Sequence, residues 1–154
     1  MAFGDCGHLW HPERAVAAAQ AAVAQALTEP AVSLAATHGA SWSTKLTAAQ
    51  EIPKQAVADT AAGGSSTATL TGKTLKWKLS FSKLTGPATA AHVHLAGMGK
   101  AGNVVVPLCG PCKSGMTGTA TVPAAIVKDF TKHLLYVNVH TAKNPAGEIR
   151  GQLG

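Results

Sequence analysis

Thr74-Leu75-Lys76-Trp77-Lys78-Leu79-Ser80-Phe81-Ser82 alternates apolar and polar side chains without a break. A strand repeats every two residues, so Leu75, Trp77, Leu79 and Phe81 share one face while Lys76, Lys78 and Ser80 share the other. The stretch reads as an antiparallel strand with one face on a core and one in water. Gly72-Lys73, just before it, is a two-residue loop of the primed-turn kind, which pairs the strand with residues 67–71 in a hairpin. Further strands are expected at 41–46, 88–95, 103–108, 117–122, 134–141 and 148–153, with Gly86-Pro87 as a turn. About eight short strands at near-regular spacing imply an all-β fold, a Greek-key sandwich or barrel. One short internal helix is expected over 123–133, with Pro123 at its start.

The chain has 154 residues, enough for one domain, with 46% hydrophobic but only 5% aromatic residues. Thirteen of the first forty residues are alanine, and an Ala-rich helix is expected from Pro12 to about Leu27, stopped by Thr28-Glu29-Pro30. The chain therefore divides into a helical extension and linker, 1–40, and a β domain, 41–154. The helix carries a narrow apolar stripe (Val16, Val23, Leu27) that would suit a homodimer contact. No run of eighteen apolar residues exists, so no helical membrane span is expected. Residues 14–27 and Ala35-Ala36 faintly resemble a secretory signal, although Gln20 and Gln25 interrupt the apolar stretch. The expected location is extracellular or periplasmic, with the signal removed or replaced.

Thirteen basic and seven acidic residues give a formal net charge of +6. The lysines are scattered, with no run of four, and only Arg14 and Arg150 are arginine, a pattern that speaks against nucleic acid as a partner. A mild positive field that attracts small anions is the better use of the charge. Cys109-Gly110-Pro111-Cys112 has the form of a redox tetrapeptide, but a Gly/Thr-rich turn and a strand follow it rather than a helix. It reads as a loop-stapling disulfide in an oxidising compartment.

His92-Val93-His94 lies in a strand, where a spacing of two puts both imidazoles on one face about 6–7 Å apart. In Leu135-Tyr136-Val137-Asn138-Val139-His140, the residues Tyr136, Asn138 and His140 share the face opposite Leu135, Val137 and Val139. If the two strands are neighbours, three imidazoles converge. Three histidines with an open position suit zinc, copper(II) or nickel(II). The same residues read equally as solvated imidazoles on a basic chain. Gly97, Gly99 and Gly102 supply a loop that can wrap a site, and Met98 offers a soft axial ligand or simple packing. Cys6, His8 and His11 form a second possible metal cluster near the start of the chain, and His38 is a candidate fourth ligand.

Ala91-His92-Val93-His94, the Gly-rich loop to Val104-Val105, Tyr136-Val137-Asn138-Val139-His140-Thr141 and Asn144-Pro145-Ala146-Gly147-Glu148-Ile149-Arg150-Gly151-Gln152-Leu153 resemble the CHRD domain, first named from chordin. Gln50-Glu51-Ile52-Pro53 matches its N-terminal signature. The resemblance covers about residues 41–154 and implies a secreted all-β domain whose histidines fall on His92, His94 and His140. The His-Val-His strand is also similar to the copper-ligand strand of Cu/Zn superoxide dismutases, another Greek-key barrel.

The leading expectation is a secreted copper protein that dismutates superoxide, a small anion. The alternatives are a non-catalytic binding or adhesion module, with structural or zinc-binding histidines, and a copper carrier or store. Arg150 and Lys143 are the candidates for guiding the anion, an ion pair of Arg150 with Glu51 or Glu148 being its plainer role. Glu51 is a candidate for orienting a liganding imidazole through its other nitrogen, and Asn138 and Tyr136 for the same task or for filling space.

Overall fold

The computed structural model describes residues 39–54 and 61–154. The Ala-rich helix with its dimer contact, and the candidate ligands Cys6, His8, His11 and His38, lie outside the described residues. Eight antiparallel strands are present: β1 (Ala40–Thr47), β2 (Gly63–Thr71), β3 (Thr74–Ser82), β4 (Ala88–Leu95), β5 (Asn103–Cys109), β6 (Met116–Thr121), β7 (Leu135–Thr141) and β8 (Ile149–Leu153). The alternating stretch Thr74–Ser82 is β3, and it pairs with β2 in register from Gly63–Ser82 to Thr71–Thr74.

The strands form one sheet in the order β5-β4-β7-β8-β1-β2-β3-β6. Its two edge strands, β5 and β6, approach each other, so the sheet is nearly closed into a barrel. Around the barrel the order is β1-β2-β3-β6-β5-β4-β7-β8. The passages from β3 to β4 and from β6 to β7 cross over neighbouring strands, which makes the connections Greek-key. Pro107, which has no N–H for a sheet ladder, lies on the edge strand β5.

The barrel interior is filled by the inward residues of every strand that carries large side chains. Leu46, Leu75, Leu79, Val93, Val106, Leu135, Val139, Ile149 and Leu153 are all buried in one cluster. Trp42 and Phe130 meet with ring centroids 5.1 Å apart, so aromatic bulk seals one region of the core, and Trp77 adds a further buried ring. Residues 123–133 form less helix than their composition implies. A single turn, α1 (Ala124–Val127), runs directly into a 3-10 turn at Lys128–Thr131, where Phe130 is the buried anchor. Neither segment has a side-chain cap, and one buried residue rewards only a short helix. The sulfur atoms of Cys109 and Cys112 lie 2.10 Å apart across the loop that leaves β5.

Three loops cover the outer face of β7: the 3-10 turn at Ala48–Gln50 with Glu51, the β4–β5 loop, and the β7–β8 loop. As a result all seven residues of β7 are buried, although its sequence alternates. The outer face of the barrel therefore holds a polar layer at this point and nowhere comparable among the described strands.

Leu79 is fully buried and Lys78 beside it is exposed, so the two alternating faces separate cleanly in energy. Leu79→Ala is expected to cost about 2–5 kcal/mol in unfolding free energy, and Lys78→Ala less than about 0.5 kcal/mol. Denaturant unfolding followed by circular dichroism measures both, and equal losses would contradict the inward placement of Leu79.

Candidate metal centre

Strand β4 lies beside β7, with His92 opposite Asn138 and His94 opposite Tyr136. This pairing turns the three imidazoles of His92, His94 and His140 toward one point. One ring nitrogen from each lies within 4.8 Å of the others. Ring centroids are 4.9 Å apart for His92 and His140, and 5.7 Å apart for each ring with His94. His94 and His140 are buried, and His92 is partly exposed, so the cluster has a wet side. Register irregularities in the β4–β5 ladder flank His92 and His94, a common way to re-aim side chains at a site.

The hydrogen bonds decide which nitrogen each ring presents. The Nδ1–H of His94 donates to the carbonyl of Gly102 at 2.9 Å, and the Nδ1–H of His140 donates to the carbonyl of Pro145 at 3.0 Å. A carbonyl can only accept, so both rings are held as the Nδ1–H tautomer with a bare Nε2 lone pair pointing inward. The Nε2 of His140 accepts from His92 Nδ1 at 3.2 Å. The Nε2 of His94 is buried and has no partner. A buried acceptor without a donor costs about 1–3 kcal/mol, and a cation shared by the three rings would remove that cost. Backbone carbonyls orienting the outer nitrogens are the usual second layer of a histidine metal site.

Burial keeps these rings neutral. It lowers the pKa of His92 and His94, assisted by His94 in the first case and by Arg150 in the second, while the Gly102 carbonyl opposes it. Burial also drives His140 down to about 4, the Pro145 carbonyl opposing and the other two histidines reinforcing. Neutral imidazole is the ligating form, so the cluster is ready for a cation at neutral pH.

Tyr136 ties this cluster to the neighbouring loop. Its ring stacks on His94, with centroids 4.9 Å apart and planes 12° from parallel, and the guanidinium of Arg150 sits 3.4 Å from its ring centroid. The Gly102 N–H donates to the Tyr136 hydroxyl at 3.2 Å. Arg150 is 2% exposed and donates to the carbonyls of Lys100 and Gly97 and to the side-chain oxygen of Gln152. Gln152 in turn donates to the carbonyl of Ala96. Arg150 thus holds the β4–β5 loop whose Gly102 carbonyl orients His94. That is a positioning role, and the guanidinium is already occupied by protein oxygens. Glu148, expected as an ion-pair partner of Arg150, instead accepts from the Thr85 N–H and from the side chains of Thr85, Thr141 and Asn144. Burial alone would raise its pKa, but these donors outweigh that and lower it.

Glu51 is also buried, but it touches Asn138 rather than an imidazole: Asn138 Nδ2 donates to Glu51 Oε2 at 3.3 Å. The carbonyls of Gly102 and Pro145 take the orienting role that the sequence suggested for Glu51. Burial raises the Glu51 carboxyl to about 7, the nearby Arg150 charge and the Asn138 amide only partly offsetting it. Met98 stands 81% exposed over a recess beside Arg150 and Gln152. Lys143 is exposed in the β7–β8 loop.

Two glycines make the second layer possible. Gly147 has φ +130° and lies flat on the Asn138 amide, where any Cβ would collide. A Cβ on Gly102 would meet the Leu95 carbonyl, so only glycine brings the 102 carbonyl to His94. The carbonyls themselves have no signature in a sequence. Their nearest signs are the glycine in the first loop and the Asn-Pro turn in the second.

The CHRD domain model matches residues 42–153, and the chain belongs to that family. No curated protein and no solved structure matches it.

The raised carboxyl of Glu51 contributes stability that is complete below about pH 4.5 and is lost as pH rises through about 7. Glu51→Gln lacks this titration. The melting temperature of the wild type relative to the variant should therefore fall by several degrees between pH 5 and pH 8. A difference that does not change with pH would contradict a carboxyl titrating in that interval.

Proposed function

We propose that this CHRD-family protein binds a single copper ion through His92, His94 and His140 and dismutates superoxide. The reading rests on one observation above the others: the buried, unpartnered Nε2 of His94 aimed at two further imidazoles. Zinc suits the same donors, and copper is preferred because nitrogen sites bind copper(II) more tightly in the general affinity order of divalent metals. When bound, copper supplies the one-electron exchange by which one superoxide leaves as dioxygen and another as peroxide.

The protein's own residues do the rest. Gly102 and Pro145 carbonyls hold two rings in the ligating tautomer, and Arg150 fixes the loop that carries Gly102. His92, the partly exposed ring, borders the side from which a small anion approaches. All eleven lysines of the described residues are exposed, whereas Glu51 and Glu148 are buried, so the field around the barrel is positive. Arg150 contributes to that field from inside and does not offer its donors to the substrate.

An extracellular or periplasmic location accords with the family and with the Cys109–Cys112 pairing, which an oxidising compartment preserves. No helix of the described residues is long and apolar enough to cross a membrane.

Metal analysis with EPR on the purified protein, alongside superoxide decay measured against free copper, tests the proposal. One copper per chain in a nitrogen-rich site, with decay faster than free copper provides, is expected. His92→Ala, His94→Ala and His140→Ala should each remove both signal and activity. Copper bound without acceleration would replace the enzyme by a carrier or store. A protein that takes up no copper, or that keeps its signal in all three variants, would overturn the site.

A further inference from the structure

The outer face of β2, β3 and β6 is centred on β3, which lies four strands from β7 in either direction around the barrel, on the side away from the histidines. In register across these strands stand two rows of the same composition: Thr67, Lys78, Thr117 and Thr69, Lys76, Thr119. All but the partly exposed Thr69 are exposed, and together they line a shallow trough of about 440 Å³. The rows repeat about every 6.8 Å along the strands, and neighbouring side chains within a row stand about 4.8 Å apart.

Charge on this face is of one sign. Among the described residues there are eleven exposed lysines, and the carboxylates are Glu51 and Glu148, both buried, and Asp129, half-buried. The two lysines of the trough carry hydroxyls on both sides and no acidic neighbour in their rows. Such a surface offers two point charges one row apart, each bracketed by hydroxyls able to donate and accept.

We propose that this trough docks an extended anionic polysaccharide. Its repeated sulfate, phosphate or carboxylate groups would meet Lys76 and Lys78, and its sugar hydroxyls would meet the threonine rows. A nucleic acid fits less well. The face presents no arginine for forked phosphate contacts, and the Trp77 ring is turned into the core, leaving no platform for bases. Docking here leaves the opposite side of the barrel facing solvent, so the histidine cluster stays accessible while the protein is held on a matrix. The proposal stands on the trough alone and does not depend on which metal the histidines hold.

The test uses the whole chain with dextran sulfate as probe, neutral dextran as a control and a single-stranded oligonucleotide of equal charge as competitor. Dextran sulfate should bind with an affinity that falls as salt rises, and neutral dextran should not bind measurably. Lys76→Gln combined with Lys78→Gln should weaken binding at about 0.1 M salt by at least about tenfold. Lys128→Gln combined with Lys132→Gln, which removes the same charge elsewhere, should weaken it far less. Both pairs are exposed, so melting temperatures should match the wild type. Equal losses from the two pairs would reduce the effect to net charge and overturn the trough. Oligonucleotide binding as tight as dextran sulfate binding would overturn the choice of a polysaccharide.

Discussion

Strand β7 is buried on both faces, and every polar group on its outer face must find a partner inside the protein. Tyr136, Asn138 and His140 occupy that face, so the loops above them must supply acceptors and donors in fixed positions. The Gly102 and Pro145 carbonyls, the Glu51 carboxyl and the Ala146 carbonyl are that supply. Once they are in place, two imidazole tautomers follow, and with them the direction of two bare nitrogens. The clustering of the three imidazoles is therefore a consequence of how a buried polar face is satisfied. Three polar atoms of this layer, His94 Nε2, Asn138 Oδ1 and Glu51 Oε1, are left without a hydrogen-bond partner, and His94 Nε2 is the one grouped with the other two imidazoles.

The same constraint accounts for the run from Asn144 to Leu153 residue by residue. Asn144 donates to Thr85 and Glu148, Pro145 accepts from His140, and Gly147 lies against Asn138. Glu148 collects four donors that lock the loop to β7 and to the segment before β4. Ile149 and Leu153 turn into the core, while Arg150 and Gln152 hold the β4–β5 loop from the opposite end. A stretch that reads as a family signature is physically a clasp joining two loops over one strand.

The barrel was legible in the sequence because its strands alternate. Leu75 through Phe81 and Leu135 through Val139 show their inner faces directly, and the pairing of His92 and His94 with the strand of His140 needed only adjacency. The cover over β7 was legible only in part: the glycines at 97, 99 and 102 pointed to a wrapping loop, but alternation predicts a wet outer face for Tyr136, Asn138 and His140. What buries that face is loop backbone, which carries no side-chain pattern. For the same reason Glu51 and Arg150 invite a reading as ion-pair or guiding residues. Their actual partners, Asn138 and the carbonyls of Gly97 and Lys100, depend on loop paths. The short 3-10 ending of the internal helix was hidden as well, since composition does not show that only Phe130 would be buried there.

The central claim is that the imidazoles are preset by the fold before any metal arrives. Long-range nitrogen–proton NMR of the histidine rings in the metal-free protein at neutral pH, repeated after one equivalent of copper(I), tests it most directly. His94 and His140 should both carry their proton on Nδ1 beforehand, and their Nε2 resonances should move together on addition. A ring protonated at Nε2 in the metal-free protein, or Nε2 resonances unmoved by the metal, would contradict the account.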